Sequence, residues 1–300
     1  MTDKSADVSQ ASDVTLRTIS QNVTGWLLAA PMAVTLIVFL VAPIVMIVVV
    51  SFWGATEWSI YPAFIFDNYE FLLSSDVTYR VFFNTLKYAA ITWAFTFVIG
   101  FTVAYFLAFH VRTMTWQVAL FLLCTIPFWT SNIIRMISWI PFLGRNGLAN
   151  SALMSWGVID EPVEWLLFSD FSVILAFVHL YTLFMVVPIF NTMMRIDKSL
   201  IEAAVDAGAT GWQTLWYVIL PLTKPGIMIG TIFVVALVMG DFITVRFMSG
   251  SQSANVGRMI QNDIALLQYP SASATAVILL ITVLMMIGIL LRFVDIRKEL

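Results

Sequence analysis

Long apolar runs alternate with short polar segments along the whole chain. Six of these runs are long enough and poor enough in charge to cross a membrane, because a helix needs about twenty apolar residues to span the hydrocarbon core. The pattern therefore predicts an all-α fold, a polytopic membrane bundle of about six transmembrane helices. The predicted crossings are Trp26–Val50, Tyr88–Phe109, Trp116–Phe142, Phe171–Phe190, Ile227–Met248 and Ala272–Leu291.

Composition supports this prediction and excludes several classes of protein. Hydrophobic residues make up 60% of the 300 residues and charged residues 11%, whereas a soluble domain usually has about a quarter of its residues charged. The net charge of −3 argues against a nucleic-acid partner. One cysteine, Cys124, and two histidines at no familiar ligand spacing predict neither a disulfide nor a metal site.

Residues 1–22 are rich in Ser, Asp and Thr and predict a disordered cytoplasmic tail, whereas residues 23–300 form one transmembrane domain. The lysines and arginines give its direction, since cytoplasmic loops carry an excess of both. With both termini in the cytoplasm, nine lie inside and four outside. The inner set is Lys4, Arg17, Arg112, Arg195, Lys198, Lys224, Arg292, Arg297 and Lys298; the outer set is Arg80, Lys87, Arg145 and Arg258.

Three outer segments follow from this topology: residues 51–87, 143–170 and 249–271. The first two hold eight of the nine acidic residues of these segments. Two interpretations remain open, a solvated outer face or a docking surface for a soluble extracytoplasmic partner. Small residues recur every fourth position at Gly100, Ala104 and Ala108 and at Gly226 and Gly230, and this spacing lets membrane helices approach closely. The spacing does not distinguish packing within the chain from packing against a second subunit.

The cytoplasmic segment 195–225 predicts two short helices joined by a tight turn. Ser199 with Glu202 predicts a capping box, and Thr210 with Gln213 predicts a second one. Gly208 fits the left-handed position that closes a helix. The second helix is expected to place Trp212, Leu215, Trp216 and Ile219 on one face. Pro221 and Pro225 are expected to stop it before the fifth crossing.

This segment resembles the coupling loop of ABC importer permeases. Glu202-Ala203-Ala204, three residues, Gly208, nine residues and Val218-Ile219-Leu220-Pro221 match the E-A-A, G and I-x-L-P pattern of that family, with Val218 in place of isoleucine. The resemblance implies a surface that seats in a cleft of a separate ATPase. The residues expected there are Ser199, Glu202, Ala203, Ala204, Asp206, Ala207, Gly208, Leu220 and Pro221. A purely capping role for Glu202 is the alternative.

A wider resemblance, from about Trp26 to Asp295, is to spermidine/putrescine-type permeases. It is carried by Pro127-Phe-Trp-Thr-Ser-Asn-Ile-Ile-Arg135, by Phe66-Asp-Asn-Tyr69 and by Gly240-Asp241-Phe242. The resemblance implies a multi-pass protein of the bacterial inner membrane with four kinds of contact. These are the lipid bilayer, a second homologous permease, two copies of an ATPase and a solute-binding protein. The chain has no Gly-Lys dipeptide, so ATP and Mg²⁺ are expected on the ATPase and no cofactor on this chain.

Ionisable residues inside a membrane are costly and are candidates for the transport path. The expected path residues are Phe128, Trp129, Arg135, Trp139, Asp241 and Arg246. Asp241 and the aromatic residues suit an amine, as in a polyamine. Arg135 and Arg246 leave a net charge of +1 at the three charged sites, which suits a zwitterion or anion, such as an opine or aminophosphonate, better.

Other interpretations are also open. In one of them, Asp241 pairs with an arginine and the aromatic residues face lipid. A secondary transporter driven by an ion gradient is a different class of protein, for which His179 and Asp241 are thin support. An enzyme is not expected, because no G-x-S-x-G or H-E-x-x-H motif occurs.

Overall fold

The computed structural model describes residues 28–56 and 59–292. The predicted disordered tail, residues 1–22, lies outside the described residues. Helices dominate the described chain, as expected for apolar runs that must satisfy their backbone hydrogen bonds without water. They are α1 Leu28–Val50, α2 Asp67–Ser74, α3 Asp76–His110, α4 Met114–Trp129, α5 Asn132–Leu143, α6 Leu148–Ser155, α7 Asp170–Met193, α8 Lys198–Asp206, α9 Gly211–Gly240, α10 Ile243–Met248, α11 Val256–Ala265 and α12 Tyr269–Arg292. One short antiparallel hairpin pairs β1 Gly54–Ala55 with β2 Ile60–Tyr61.

The described residues contain five helices that are long and apolar enough to span a membrane, namely α1, α3, α7, α9 and α12. The number is six if α4 and the segment Asn132–Ser155, which meet at a bend of 87°, are counted together as one broken span. The predicted all-α bundle of about six spans is therefore confirmed.

Two predicted crossings differ from the structure. Trp116–Phe142 was expected to be one helix, but the chain breaks at residues 130–131. The expected crossing Ile227–Met248 is present with other bounds, since α9 begins at Gly211, ends at Gly240 and is followed by α10. The sequence remains largely apolar on both sides of each break, so counting apolar residues does not detect the breaks.

The core lies where α7 packs against α3 and α9. Glycines on the two outer helices allow close approach to α7. A Cβ at Gly100 or at Gly230 would lie less than 3.0 Å from the side chain of Met185, and one at Gly226 would lie 2.5 Å from the Pro188 carbonyl oxygen. These small residues therefore serve packing within the chain, the question that the sequence left open.

Polar side chains join the core helices near the first residue of α7. The Asp170 carboxylate accepts hydrogen bonds from Lys87 Nζ at 2.6 Å, from Tyr88 Oη at 2.5 Å and from Ser253 Oγ at 2.6 Å. A charged group held by three donors fixes the geometry more firmly than neutral contacts do. This cluster ties α3, α7 and the loop after α10 together.

Candidate coupling surface and membrane cavity

The helix α8 begins with an aspartate cap. Asp197 is the N-cap residue, and its Oδ1 accepts a hydrogen bond from the Ser199 backbone N–H at 3.0 Å. The capping box predicted between Ser199 and Glu202 is therefore wrong. Asp197 precedes Ser199 by two residues, and an aspartate is at least as good a cap as a serine. Both Ser199 and Glu202 lie inside the helix and are exposed.

The end of α8 has the geometry expected from its glycine. Gly208 has φ +83°, a left-handed conformation that other residues adopt at a cost. The Ala209 N–H donates to the Ala204 carbonyl at 3.0 Å, and the Gly208 N–H donates to the Val205 carbonyl at 2.8 Å. These two bonds form a Schellman motif. The prediction for Gly208 is confirmed.

The next helix, α9, begins with the second capping box. Thr210 Oγ1 accepts from the Gln213 N–H at 3.3 Å, and Gln213 Oε1 accepts from the Thr210 N–H at 2.8 Å. The predicted box is confirmed.

A wide π-helical turn, Leu215–Ile219, follows in α9 and precedes Pro221. Because the bonding pattern already shifts there, the missing proline N–H is accommodated, and α9 continues through Pro221 and Pro225 to Gly240. The expectation that these prolines end the helix is wrong.

The π turn also divides the face predicted for the start of α9. Ile219 is 2% exposed and packs inward, whereas Trp212 is 68% exposed. The Trp212 and Trp216 rings meet edge to face at 5.7 Å between centroids. The expected single face is therefore split between the bundle and the surface.

We define the coupling surface as the exposed side of residues 197–214. Ile201 packs on the hydrophobic core from its inner side, and Ala204 is half-buried. The outward residues of α8 and its cap are Ser199, Ala203, Asp206, Ala207 and Gly208, whereas Glu202 is exposed but lies on the inner side, facing α3. A cavity of about 340 Å³ separates this unit from Tyr105 and Phe109 at the end of α3. Near it in sequence, Leu220 is half-buried and Pro221 exposed. The small, exposed alanines leave α8 thin enough to enter a groove on another protein.

A charged side chain, Arg135, lies just after the break between α4 and α5. Arg135 follows the break by one helical turn and is only 8% exposed. Its Nη2 donates to Asn132 Oδ1 at 2.6 Å, and its guanidinium carbon lies 5.7 Å from the centroid of the Phe128 ring. Its Nε and Nη1 are buried and have no hydrogen-bond partner among the described residues.

Arg135 lines a membrane cavity of about 380 Å³. Phe128, Trp139 and His179 contribute to the same cavity, whose remaining lining is mostly aliphatic. Trp139 Nε1–H donates to His179 Nδ1 at 3.0 Å. The structure thus brings together three of the predicted path residues, Phe128, Arg135 and Trp139.

The second break, after α9, is closed by hydrogen bonds to Asp241. Its Oδ2 accepts from Tyr181 Oη and from Thr244 Oγ1, both at 2.6 Å, and its Oδ1 accepts from the Thr244 N–H at 2.9 Å. Asn255 Nδ2 donates to its backbone carbonyl at 2.7 Å. The carboxylate therefore fixes the start of α10 against α7.

The remaining path residues lie apart from this cavity. Trp129 is 85% exposed and Arg246 is also exposed, and neither lines the cavity around Arg135. The two ion pairs of the described residues are Lys87–Asp170 and Arg145–Glu164. The alternative that Asp241 pairs with an arginine is therefore wrong, since its partners are Tyr181 and Thr244. Sequence reasoning did not single out Tyr181 or Thr244, and it included Asn132 only as part of the stretch Pro127–Arg135.

Comparison with known proteins places this geometry in a family. No family model matches the chain. The spermidine/putrescine transport system permease protein PotB of Escherichia coli strain K12 is 34% identical over 254 residues, covering 84% of this chain and 91% of that protein. The homologous protein of Haemophilus influenzae is 30% identical and covers 86% of this chain and 89% of its own length.

A solved structure shows the same fold. A chain of a bacterial ABC transporter that imports the acidic polysaccharide alginate superposes with a TM-score of 0.73 at 18% identity, covering 93% of this chain and 97% of that one. At this identity the likeness concerns the fold alone. Together, the membrane bundle and the sequence identity show that the chain belongs to the spermidine/putrescine-type family of ABC importer permeases, transport subunits of the bacterial inner membrane.

Proposed function

We propose that this chain is the permease subunit through which a polyamine of the spermidine/putrescine type crosses the membrane, driven by a separate ATPase. The observation that carries the proposal is the match to the E. coli spermidine/putrescine permease over most of both chains. The coupling surface supports the second half of it. A capped, solvent-exposed helix of small residues is suited to a groove on another protein.

The energy for transport comes from outside the chain in this proposal. Two copies of an ATPase bind ATP and Mg²⁺, and one of them receives α8. Because α8 is tied by a short turn to α9, a displacement of α8 moves a continuous 30-residue helix that reaches the core. Rigid-body movement of packed helices is a common way to pass such a displacement across a protein.

A second, homologous permease and an extracytoplasmic solute-binding protein complete the transporter. The binding protein delivers the solute at the outer side, where residues 51–87, 143–170 and 249–271 lie if both termini are cytoplasmic. Phe128 and Trp139 provide aromatic faces along the cavity for an amine. Since the Asp241 carboxylate is occupied by Tyr181 and Thr244, ionic selection of the amine falls mainly to the partner subunits.

The coupling half of the proposal is tested by blocking the groove contact without unfolding the permease. Ala203→Trp adds bulk on the exposed side of α8, and Ala265→Trp adds the same bulk at the exposed end of α11. We expect Ala203→Trp to abolish ATP-driven uptake of labelled spermidine and to leave the amount of membrane-inserted protein unchanged. Ala265→Trp should retain uptake. Normal uptake by Ala203→Trp would contradict coupling through α8.

The topology is tested separately with single cysteines in a Cys124→Ser background. A membrane-impermeant thiol reagent applied to intact cells should label Ala265→Cys and spare Ala207→Cys until the membrane is opened. The opposite pattern would place the coupling surface on the outer side, and the proposed ATPase contact would then be untenable.

A second candidate function is import of a zwitterionic or anionic solute by the same machinery. The specific observation in its favour is the buried cation of Arg135, which repels an amine and attracts an acid. A competition experiment on uptake of the labelled polyamine distinguishes the two candidate functions. Suppression by excess unlabelled spermidine is expected for polyamine import. Suppression by an aminophosphonate or an opine alone would favour the second candidate.

A further inference from the structure

The buried guanidinium of Arg135 has more donors than partners. One of its nitrogens, Nη2, is bonded to Asn132, while Nε and Nη1 are buried without a hydrogen bond in the described part of the chain. A guanidinium always carries its positive charge, and its nitrogens donate hydrogen bonds but do not accept them. Both remaining nitrogens therefore require acceptors.

No acidic group of the described chain supplies that acceptor. Neither of the two ion pairs includes Arg135, and none of the residues that line its cavity is an aspartate or glutamate. Asp241 is the acid of the neighbouring break, but its carboxylate already accepts three hydrogen bonds from Tyr181 and Thr244. An unpaired charge buried in this way is strongly unfavourable, so a counterion is required.

The surroundings of Arg135 favour an anion as that counterion. His179, which lines the cavity, accepts at Nδ1 from Trp139, so the proton of its neutral imidazole lies on Nε2 and makes that nitrogen a donor. The Thr182 hydroxyl donates its hydrogen bond to the Val178 carbonyl. Arg135 also lies in the first turn of α5, whose N-cap Ser131 makes no side-chain cap, and a helix N-terminus attracts negative charge.

We propose that the cavity around Arg135 is an intramembrane anion site, in which an anionic group accepts hydrogen bonds from Nε and Nη1. The group has two sources, a free inorganic ion or the carboxylate of a small organic acid, and the cavity of about 380 Å³ admits either. The site goes beyond the proposed transport function and is detectable without transport. Its anion neutralises the one buried cation of the cavity, so that a cationic solute can pass beside it.

The site is tested by thermal unfolding of the full-length chain in nanodiscs of neutral phosphatidylcholine. Sodium chloride or sodium acetate replaces sodium HEPES stepwise at constant ionic strength. An anion that binds only the folded chain should raise the unfolding temperature by ~2–4 °C for each tenfold rise above its dissociation constant. Chloride identifies an inorganic ion, and acetate without chloride identifies a carboxylate.

Variants locate the effect. Arg135→Gln should lose the dependence on either anion, while Arg80→Gln, a change of an exposed arginine outside the cavity, should keep it. An unmodified chain that responds to neither anion, or an Arg135→Gln response equal to that of the unmodified chain, would overturn the proposal.

A direct measurement covers the case in which Arg135→Gln does not fold. Crystals of the unmodified chain soaked in bromide or in 4-bromobenzoate should show anomalous scattering from bromine inside the cavity, with the bromide ion or the benzoate carboxylate within hydrogen-bonding distance of the guanidinium. Saturated crystals that show no such peak with either probe would overturn the site.

Discussion

Two helix breaks, one between α4 and α5 and one at the end of the α9 span, hold their charged residues in opposite ways. At residues 241–242, between α9 and α10, the Asp241 carboxylate accepts three hydrogen bonds and its backbone carbonyl a fourth. At residues 130–131, between α4 and α5, Arg135 donates one hydrogen bond and leaves two buried nitrogens without partners. A break in an apolar helix leaves backbone groups that must find partners within the protein.

The difference separates a structural charge from a charge that requires a ligand. A fully bonded network rigidifies the structure around it, and Asp241 accordingly joins α10 to α7. A partly bonded charge is costly unless something else completes it. The same kind of sequence feature, one ionisable residue in an apolar run, therefore has two roles that only the surrounding contacts distinguish.

The largest expected effect is the loss of the Asp241 network. Asp241→Ala removes the acceptor of Tyr181 Oη, Thr244 Oγ1 and the Thr244 N–H, and buried donors left without partners are strongly unfavourable. We expect the free energy of unfolding to fall by roughly 3 kcal/mol. The measurement is reversible denaturant unfolding in detergent micelles.

Asp160→Ala is the control, because Asp160 is exposed, and it should shift stability by less than about 0.5 kcal/mol. If Asp241→Ala kept full stability but lost transport, Asp241 would act in the solute path and the contrast between the two breaks would fail.

The sequence alone identified Arg135 and Asp241 as charged residues within apolar runs, but it did not distinguish their two environments. Hydropathy predicted six spans but ran through both breaks, because the residues beside Arg135 and Asp241 remain apolar. Asn132 and Thr244 lie three residues from the charges they bond, but the remaining partner of Asp241 comes from another helix. Tyr181 lies 60 residues from Asp241, and no local pattern reports such a contact.

Local chemistry was predicted more completely than long-range contacts. Gly208 and the Thr210–Gln213 box depend only on neighbouring residues, and both are confirmed. The predicted Ser199–Glu202 box is wrong because Asp197, two positions earlier, is the N-cap residue and accepts the hydrogen bond from the Ser199 N–H. The prolines do not end the helix, because the hydrogen-bonding pattern already shifts in the π turn before Pro221 and accommodates the N–H that proline lacks.

A smaller effect of opposite sign is expected at the Arg135 break. Arg135→Met replaces a buried, partly bonded cation by an apolar side chain of similar length. In a buffer without small anions we expect the variant to be more stable than the unmodified chain by about 1–2 kcal/mol. The released partner, Asn132, is exposed, so its loss of Arg135 leaves no buried acceptor without a partner.

The same unfolding measurement shows whether Arg135→Met is the more stable of the two. Adding the anion should reduce the difference in free energy of unfolding, because it stabilises only the unmodified chain. A marked loss of stability in Arg135→Met without any anion would show that Arg135 is already satisfied, as Asp241 is.

The smallest effect concerns a charge outside the membrane, the cap of α8. The hydrogen bonds from the Ser199 backbone N–H and, secondarily, its hydroxyl hold the pKa of the Asp197 carboxyl below its ordinary value. A carboxyl whose pKa is lowered by folding stabilises the fold above its ordinary pKa of about 4. That contribution is lost as the pH falls through the lower, folded-state pKa. The start of α8 should therefore fray only in acid.

Amide hydrogen exchange in α8, corrected for intrinsic rates, measures this fraying between about pH 6 and pH 3. Asp197→Asn keeps a capping oxygen that does not titrate in this range, so it should remove the pH dependence while leaving the protection at neutral pH nearly unchanged. The first turn of α9 is the internal control, since its Thr210–Gln213 box contains no titratable group. Equal acid fraying in Asp197→Asn and in the unmodified chain would assign the effect to another carboxyl. If the dependence disappears as expected, this exposed charge joins Asp241 as a structural one, and Arg135 is left as the charge in this comparison that requires a ligand.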